Sequence, residues 1–338
     1  MAFNAYNTST SSETKPKVTV NFEALNQYII DTAECEQPET LTGVISAIVD
    51  LGNQKQPDSE YDVDAGDENL TVEELMEKYK DQLASNFPDD EQYGKITKFA
   101  KAYDGQKKDW IIKKFVKQKD RQSVAFAVDF PSIQLDKGQF FGDDSGETKP
   151  LRLWSGGQFY NPFQKKMIIQ NLLPLKVTNI SKVDGEKVWS LNPKSVLHKM
   201  AVAAKIIKQE EAFLPQDIDK LLGKTLQFKV QIKNTIGKDG KKYYTEKMSF
   251  VGALGRGQKE ESVDKVHLIQ FDEVNDADSL KELRKHVINT IENATNFEGS
   301  AIQAQLLEVR PQSFMKKDEV KVKESVVTDE DLDDSLPF

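Results

Sequence analysis

Arg152, Trp154, Phe159, Tyr160, Lys165 and Lys166 lie within fifteen residues of one another, with Phe163 among them, around a Ser155-Gly156-Gly157 turn. Rings and cations interleaved at a loop suit the capture of a single nucleic-acid strand. Bases stack on the rings at about 1–3 kcal/mol each, while cations track the phosphates. A second set of such residues lies in LQFKVQIKN and KYYTEKMSFVGAL. Strict alternation puts Leu226, Phe228, Val230 and Ile232 on one side and Gln227, Lys229, Gln231 and Lys233 on the other. The turn between them contains Asp239-Gly240, which predicts a hairpin. With Tyr244, Met248 and Phe250 facing a core, Tyr243, Thr245 and Lys247 join Lys229 and Lys233 on the outer face. Lys241 and Lys242 beside the turn, Arg256 beyond it, and Lys113 and Lys114 in IIKKFV complete the candidate cations.

No enzyme chemistry is nominated. The chain has no GxxxxGK[ST], no GxGxxG after a strand, no GxSxG elbow and no HExxH. GALGRG (252–257) ends a strand without opening a helix. His198, His267 and His286 are far apart and Cys35 is alone, so neither a zinc spacing nor an internal disulfide is expected. No cofactor or metal is predicted. Carboxylates are abundant but lack neighbouring histidines, which leaves a metal-dependent nuclease open without nominating it.

The 338 residues, 38% hydrophobic and 30% charged, are enough for one large domain or two ordinary ones. No run of about 18 apolar residues occurs and the first residues are polar, so neither a membrane span nor secretion is expected. A cytoplasmic protein is the expectation. The net charge of -9 argues against a nucleic-acid partner, but it averages over unlike segments. Residues 58–91 hold thirteen acids against Lys78 and Lys80; residues 95–121 hold ten bases against three acids; residues 220–259 hold ten bases against Asp239 and Glu246. Segregation of this kind creates local fields that the total conceals.

Several elements are expected to position these groups. Residues 1–16 read as a disordered leader, VTVNF as a short strand and FEALNQYIIDTA as an amphipathic helix. LTGVISAIVDLG reads as a strand buried on both faces, with bends or bulges at Gly43 and Gly52. An insertion over about 53–121 opens with a Thr71/Glu74 capping box and a helix over 71–84, and continues as a helical or mixed region rich in lysines and aromatics. SVAFAVDFP is a strand with Val124, Phe126, Val128 and Phe130 on one face, ended by Pro131. VLHKMAVAAKIIK and PQDIDKLLG read as helices, the former with Val196, Met200, Val202, Ala203 and Ile206 inward. DSLKELRKHVINTIEN is a helix with Leu280, Leu283, Val287 and Ile291 on one side, and AIQAQLLEV is another short element.

The last eleven residues, TDEDLDDSLPF, set Asp329, Glu330, Asp331, Asp333 and Asp334 before an apolar trio, Leu336, Pro337 and Phe338. Five like charges resist burial, so residues 311–338 read as a disordered acidic tail with a short hydrophobic end.

This tail, with the order LTGVISAIVDLG, SVAFAVDF, a helix, then DKLLGKTLQFKVQIK and DGKKYY, resembles bacteriophage-type replicative single-stranded DNA-binding proteins. The core resemblance covers roughly residues 41–254. The chain departs from compact bacterial versions in its length, in the 53–121 insertion, and in carrying Leu336 where many have Ile. The resemblance implies a mainly β protein with helical insertions, an OB-fold-like five-stranded barrel at 17–260, a helical extension at 261–310 and the tail. It implies coating of single-stranded DNA in replication, recombination and repair, in the cytoplasm of an infected host cell, with a possible homo-oligomer. The tail acids would occupy the basic groove when DNA is absent, and Leu336-Pro337-Phe338 would dock on polymerase, helicase or primase. A single-strand annealing mediator and an acidic interaction protein that never touches DNA are the other readings.

Overall fold

The computed structural model describes residues 21–142, 146–155, 158–161, 166–169, 173–175, 177–183, 185–236 and 242–310. Helix α1 (Phe22–Ala33) starts where Asn21 Oδ1 accepts from Ala24 N and stops at Glu34, which is left-handed (φ 51°). Phe22 begins this helix, so the end of the VTVNF strand expectation is not met, and the rest of it falls outside the described residues. Strand β1 (Glu39–Gln54) is followed by the insertion: β2 (Ser59–Asp62), α2 (Val72–Lys78), three short 3-10 turns, β3 (Ile96–Asp104) and β4 (Asp109–Val116). Next come β5 (Arg121–Asp136), α3 (Lys137–Phe141), β6 (Thr148–Trp154), a ribbon of β7 (Gln158–Asn161) and β8 (Lys166–Ile169), and β9 (Leu173–Pro174). A hairpin of β10 (Val177–Val183) and β11 (Glu186–Leu191) leads to α4 (Val196–Ala203) and a 3-10 stretch, Pro215–Leu221. The chain then forms β12 (Thr225–Ile236), β13 (Lys242–Gly252), β14 (His267–Ile269), α5 (Ala277–Lys281), α6 (Lys285–Glu292) and α7 (Ala301–Val309).

The protein is mainly β with helices around it. Its central sheet runs β13-β12-β1-β5-β6, every pair antiparallel, with β14 parallel to β1 and β9 beside β5. The sheet is open. Its ends, β13 and β6, are not paired with each other among the described residues, so the expected closed five-stranded barrel is corrected to an open sheet.

Strand β1 serves three partners, β12 and β14 along one edge and β5 along the other. Residues 39–44 pair with β12 and residues 44–54 with β5. Between Ile45↔Val128 and Ala47↔Ala127 the register shifts, leaving Ser46 as the extra residue of a bulge. The bulge swaps parity, so Ile45 and Ile48 enter one core while Ala47, Val49 and Leu51 enter the other. Burial on both faces is why the segment is apolar at nearly every position.

The first core joins Ile45, Ile48, Val124, Phe126, Val128 and Phe130 of the sheet to Leu25, Ile29 and Ile30 of α1 and to Leu197, Met200 and Ala201 of α4. Gly43 lies under this core, where an added Cβ would come within 2.5 Å of Val128 Cγ1 and 2.9 Å of Phe130 Cε1. Close approach of the phenylalanine ring, not a bend, explains that glycine. Gly52 does sit at a register shift, with φ +70°. The second core packs Ala47, Val49, Leu51, Ala125 and Ala127 against Ile269, Phe271, Leu283 between α5 and α6, and the last three helices through Leu280, Val287, Ile291, Ile302 and Leu306.

Four local expectations need correction. Residues 96–116 form a β-hairpin, because Asp104-Gly105 turns the chain and Phe99, Lys101 and Tyr103 alternate with Lys98, Ala100 and Ala102. Pro131 does not end β5; the strand runs on to Asp136 across an irregular register between Phe130 and Gln134, which accommodates the missing N–H. The helix at 196 is shorter than its periodicity implied and buries Leu197, Met200 and Ala201, leaving Val196 exposed. The helix expected over 278–293 is broken at Arg284, whose extended backbone (ψ 150°) separates α5 from α6.

Candidate nucleic-acid interface

The β12–β13 hairpin sorts its side chains as the alternation requires. Leu226, Phe228, Val230, Ile232 and Met248 are buried. On the other face the register brings Lys229 opposite Ser249, Gln231 opposite Lys247, Lys233 opposite Thr245 and Thr235 opposite Tyr243. Lys229, Lys233 and Lys247 are exposed and form no ion pair among the described residues. The Tyr243 ring is 44% exposed toward the tip. Three cations and one ring therefore share one sheet face. Arg256 is exposed in the turn after β13, and no helix follows that turn.

Other expected cations are already occupied. Lys242 falls on the opposite parity from Tyr243 and its Nζ lies 2.7 Å from Glu23 Oε1, which raises its pKa. Lys113 Nζ contacts Asp62 Oδ1 at 2.5 Å and Asp104 Oδ2 at 3.1 Å, and Lys114 Nζ lies 2.6 Å from Asp64 Oδ1. The turn amide of Lys107 first, then Lys113, brings Asp104 down to about 2. The hydrogen bond from Lys113 likewise holds Asp62 below the usual carboxylate range, and Lys114 does the same for Asp64.

These pairs follow from topology. β2 lies against β4 in the order β2-β4-β3, which lays part of the acidic segment on the basic one. Beneath them Tyr79 is buried with Leu75, Ile96 and Phe99, and its hydroxyl donates toward Asp64 Oδ2 (2.7 Å) and Asp67 Oδ2 (2.8 Å). The field expected from residues 95–121 is therefore partly neutralised within the insertion.

Both Arg152 and Trp154 lie on strand β6, Trp154 buried and Arg152 mostly so. Arg152 Nε and Nη2 donate to Asp129 Oδ1 and Oδ2 at 2.7 and 3.0 Å, and Nη1 reaches Glu282 Oε2 at 2.5 Å. Asp129, 2% exposed, also accepts from Ser46 Oγ at 2.8 Å. Burial opposes the guanidinium charge, but the two carboxylates outweigh it and raise its pKa. Trp154 is 8% exposed and belongs to the second core. The short β5–β6 pairing draws both inward, since Asp129↔Arg152 and Ala127↔Trp154 are cross-strand partners.

Phe159, Tyr160 and Lys166 occupy the β7–β8 ribbon, in the register Phe159↔Ile168, Tyr160↔Met167 and Asn161↔Lys166. Lys165, Lys241 and the whole tail with Asp329, Glu330, Asp331, Asp333, Asp334, Leu336, Pro337 and Phe338 lie outside the described residues.

Two exposed pairs escaped the sequence reading. Tyr103 and Trp110 face each other across the β3–β4 hairpin at 55% and 64% exposure. Ile180 and Trp189 do so across β10–β11 at 56% and 60% exposure. An aromatic on each arm of an Asp-Gly turn was the available signal for the first pair. Among the described residues there is no group of three or more His, Cys, Asp or Glu side chains placed to hold a metal, and no helix long and apolar enough to cross a membrane.

No family model matches the chain, and neither curated proteins nor solved structures return a match.

Proposed function

We propose that this protein binds single-stranded DNA without sequence preference, covering it in replication, recombination and repair within a host-cell cytoplasm. The observation that carries this reading is the sorting of charge on the β12–β13 hairpin. Lys229, Lys233 and Lys247 stand exposed on the sheet face that Tyr243 shares, without carboxylate partners among the described residues, whereas Lys113 has two and Lys114 and Lys242 have one each. Unpaired cations and a ring on one face are what a phosphate–base strand requires. The five antiparallel strands of the central sheet support an OB-like core opened between β13 and β6. The acidic tail then serves as an internal competitor for the lysine face, and Leu336-Pro337-Phe338 as the dock for a polymerase, helicase or primase.

The test is a titration of a fluorescent oligonucleotide, single against double stranded, at two salt concentrations. Single strands should bind more tightly, with log affinity falling against log salt by about 0.7 per phosphate contacted. Equal binding of duplex, or a flat salt response, would overturn the reading.

A further inference from the structure

The β3–β4 hairpin ends in an exposed aromatic surface. Tyr103 and Trp110 are cross-strand partners with ring centroids 5.9 Å apart at 65°, and more than half of each residue is exposed. Burying a large ring removes some 150–250 Å² from water, so two rings left exposed together forgo a large stabilisation. The turn that presents them is well defined. Asp104 Oδ1 accepts from Gln106 N at 2.9 Å and Lys107 N at 3.1 Å, and Lys108 adopts φ 54° to complete it. A tip held this firmly, yet with its rings outward, is preorganised for a partner.

The charges around the rings indicate which partner. Lys101 and Lys108, each two residues before one of the rings, are exposed and form no ion pair among the described residues. Lys107 lies 3.9 Å from Asp62, which itself is held by Lys113 at 2.5 Å. Asp104 is engaged by Lys113 and the turn amides, and Asp109 Oδ1 accepts from Trp110 N at 2.7 Å. The cations at the tip are thus freer than the acids.

We infer that the Tyr103–Trp110 tip of the insertion is a second base-stacking site, separate from the β12–β13 face, that takes single-stranded nucleic acid with phosphates on Lys101 and Lys108. The inference rests on the single-strand reading above. It gives the insertion, whose root lysines are neutralised, a binding role at its tip alone.

The experiment uses the full chain and a labelled oligothymidylate. Because each stacked base contributes about 1–3 kcal/mol, Y103A/W110A should weaken binding about tenfold or more. Y103F/W110F should retain it, and K101E/K108E should weaken it and flatten the salt dependence. In a Trp189→Phe background the exposed fluorescence of Trp110 should be quenched by the oligonucleotide. Wild-type binding with an unaffected, folded Y103A/W110A chain would overturn this site and leave the single-strand reading standing. Loss of self-association in that variant, with DNA binding intact, would make the tip a protein contact and equally overturn the site. No binding by the wild-type chain would remove both.

Discussion

Arg284 Nη2 donates to the main-chain carbonyl of Arg152 at 2.6 Å, while its Nη1 reaches Glu246 Oε2 at 3.1 Å. Arg152 is on β6 and Glu246 on β13, the two ends of the open sheet. A side chain from the break between α5 and α6 thus spans the gap that strand pairing leaves. Arg152 in turn grips Glu282, one helix earlier, so the C-terminal helices and the sheet edges hold each other. Burial lowers the Arg284 pKa, and the Glu246 carboxylate opposes that effect.

Arg284→Ala should therefore be severe. Removing one partner of a buried ion pair typically costs about 3–5 kcal/mol, and here the Arg152 carbonyl also loses its donor. Arg284→Lys should recover only part of this, because a point charge does not serve two acceptors as a planar fork does. Urea unfolding checks both variants; a loss below about 1 kcal/mol for the alanine variant would show that the bridge is not structural.

Reversing charge should separate the two lysine groups. On the proposed reading, in which those lysines meet the phosphates, K229E/K233E/K247E should lower affinity for a single strand by at least about tenfold with the fold retained. K113E/K114E should instead lower the melting temperature, since it sets new carboxylates beside Asp62, Asp64 and Asp104. Anisotropy titration and thermal melts on the same samples decide; a reversed pattern would place the DNA on the insertion root.

Gly43→Ala should destabilise by about 1–3 kcal/mol, the usual cost of overpacking a filled core. The added methyl would meet Val128 and Phe130 at 2.5 and 2.9 Å. Chemical denaturation reads the change, and a neutral result would mean that the phenylalanine ring shifts freely.

Acid should weaken the fold through His286. Burial first, and then Arg284, depress its pKa to about 3, and its Nε2 is enclosed without a hydrogen-bond partner. In the unfolded chain the ring takes up a proton near pH 6.5, whereas in the fold it stays neutral. The unfolded state thus binds the extra proton, so stability falls as pH drops from about 6.5 toward 3, by about 2 kcal/mol at pH 5. Comparing melts of wild type and His286→Gln from pH 7 to 5 isolates this contribution. Parallel slopes would rule it out.

Deleting residues 328–338 should leave DNA affinity unchanged or tighten it, while abolishing capture of replication proteins. Pull-down and titration with the shortened chain measure the two effects separately. Loss of DNA affinity on deletion would make the tail part of the binding surface and not its competitor.

What the sequence determined by itself was whatever depends on local periodicity. Alternation in LQFKVQIKN assigned its buried face, alternation in SVAFAVDF sorted its side chains between the two cores, and the doubly apolar LTGVISAIVDLG marked a strand covered on both sides. Thr71 and Glu74 form the reciprocal cap that their spacing implied. Only the tertiary structure decided which charges are free. Lys113 and Lys114 look as available in sequence as Lys229 and Lys233, but β2 pairs with β4 and brings Asp62 and Asp64 onto them. Arg152 and Trp154 look like a binding loop until pairing with Asp129 and Ala127 turns them inward. Composition fixes how many cations, acids and rings a chain has. Which of them meet across strands is set by long-range register, and register neutralised part of one basic segment while leaving another facing solvent.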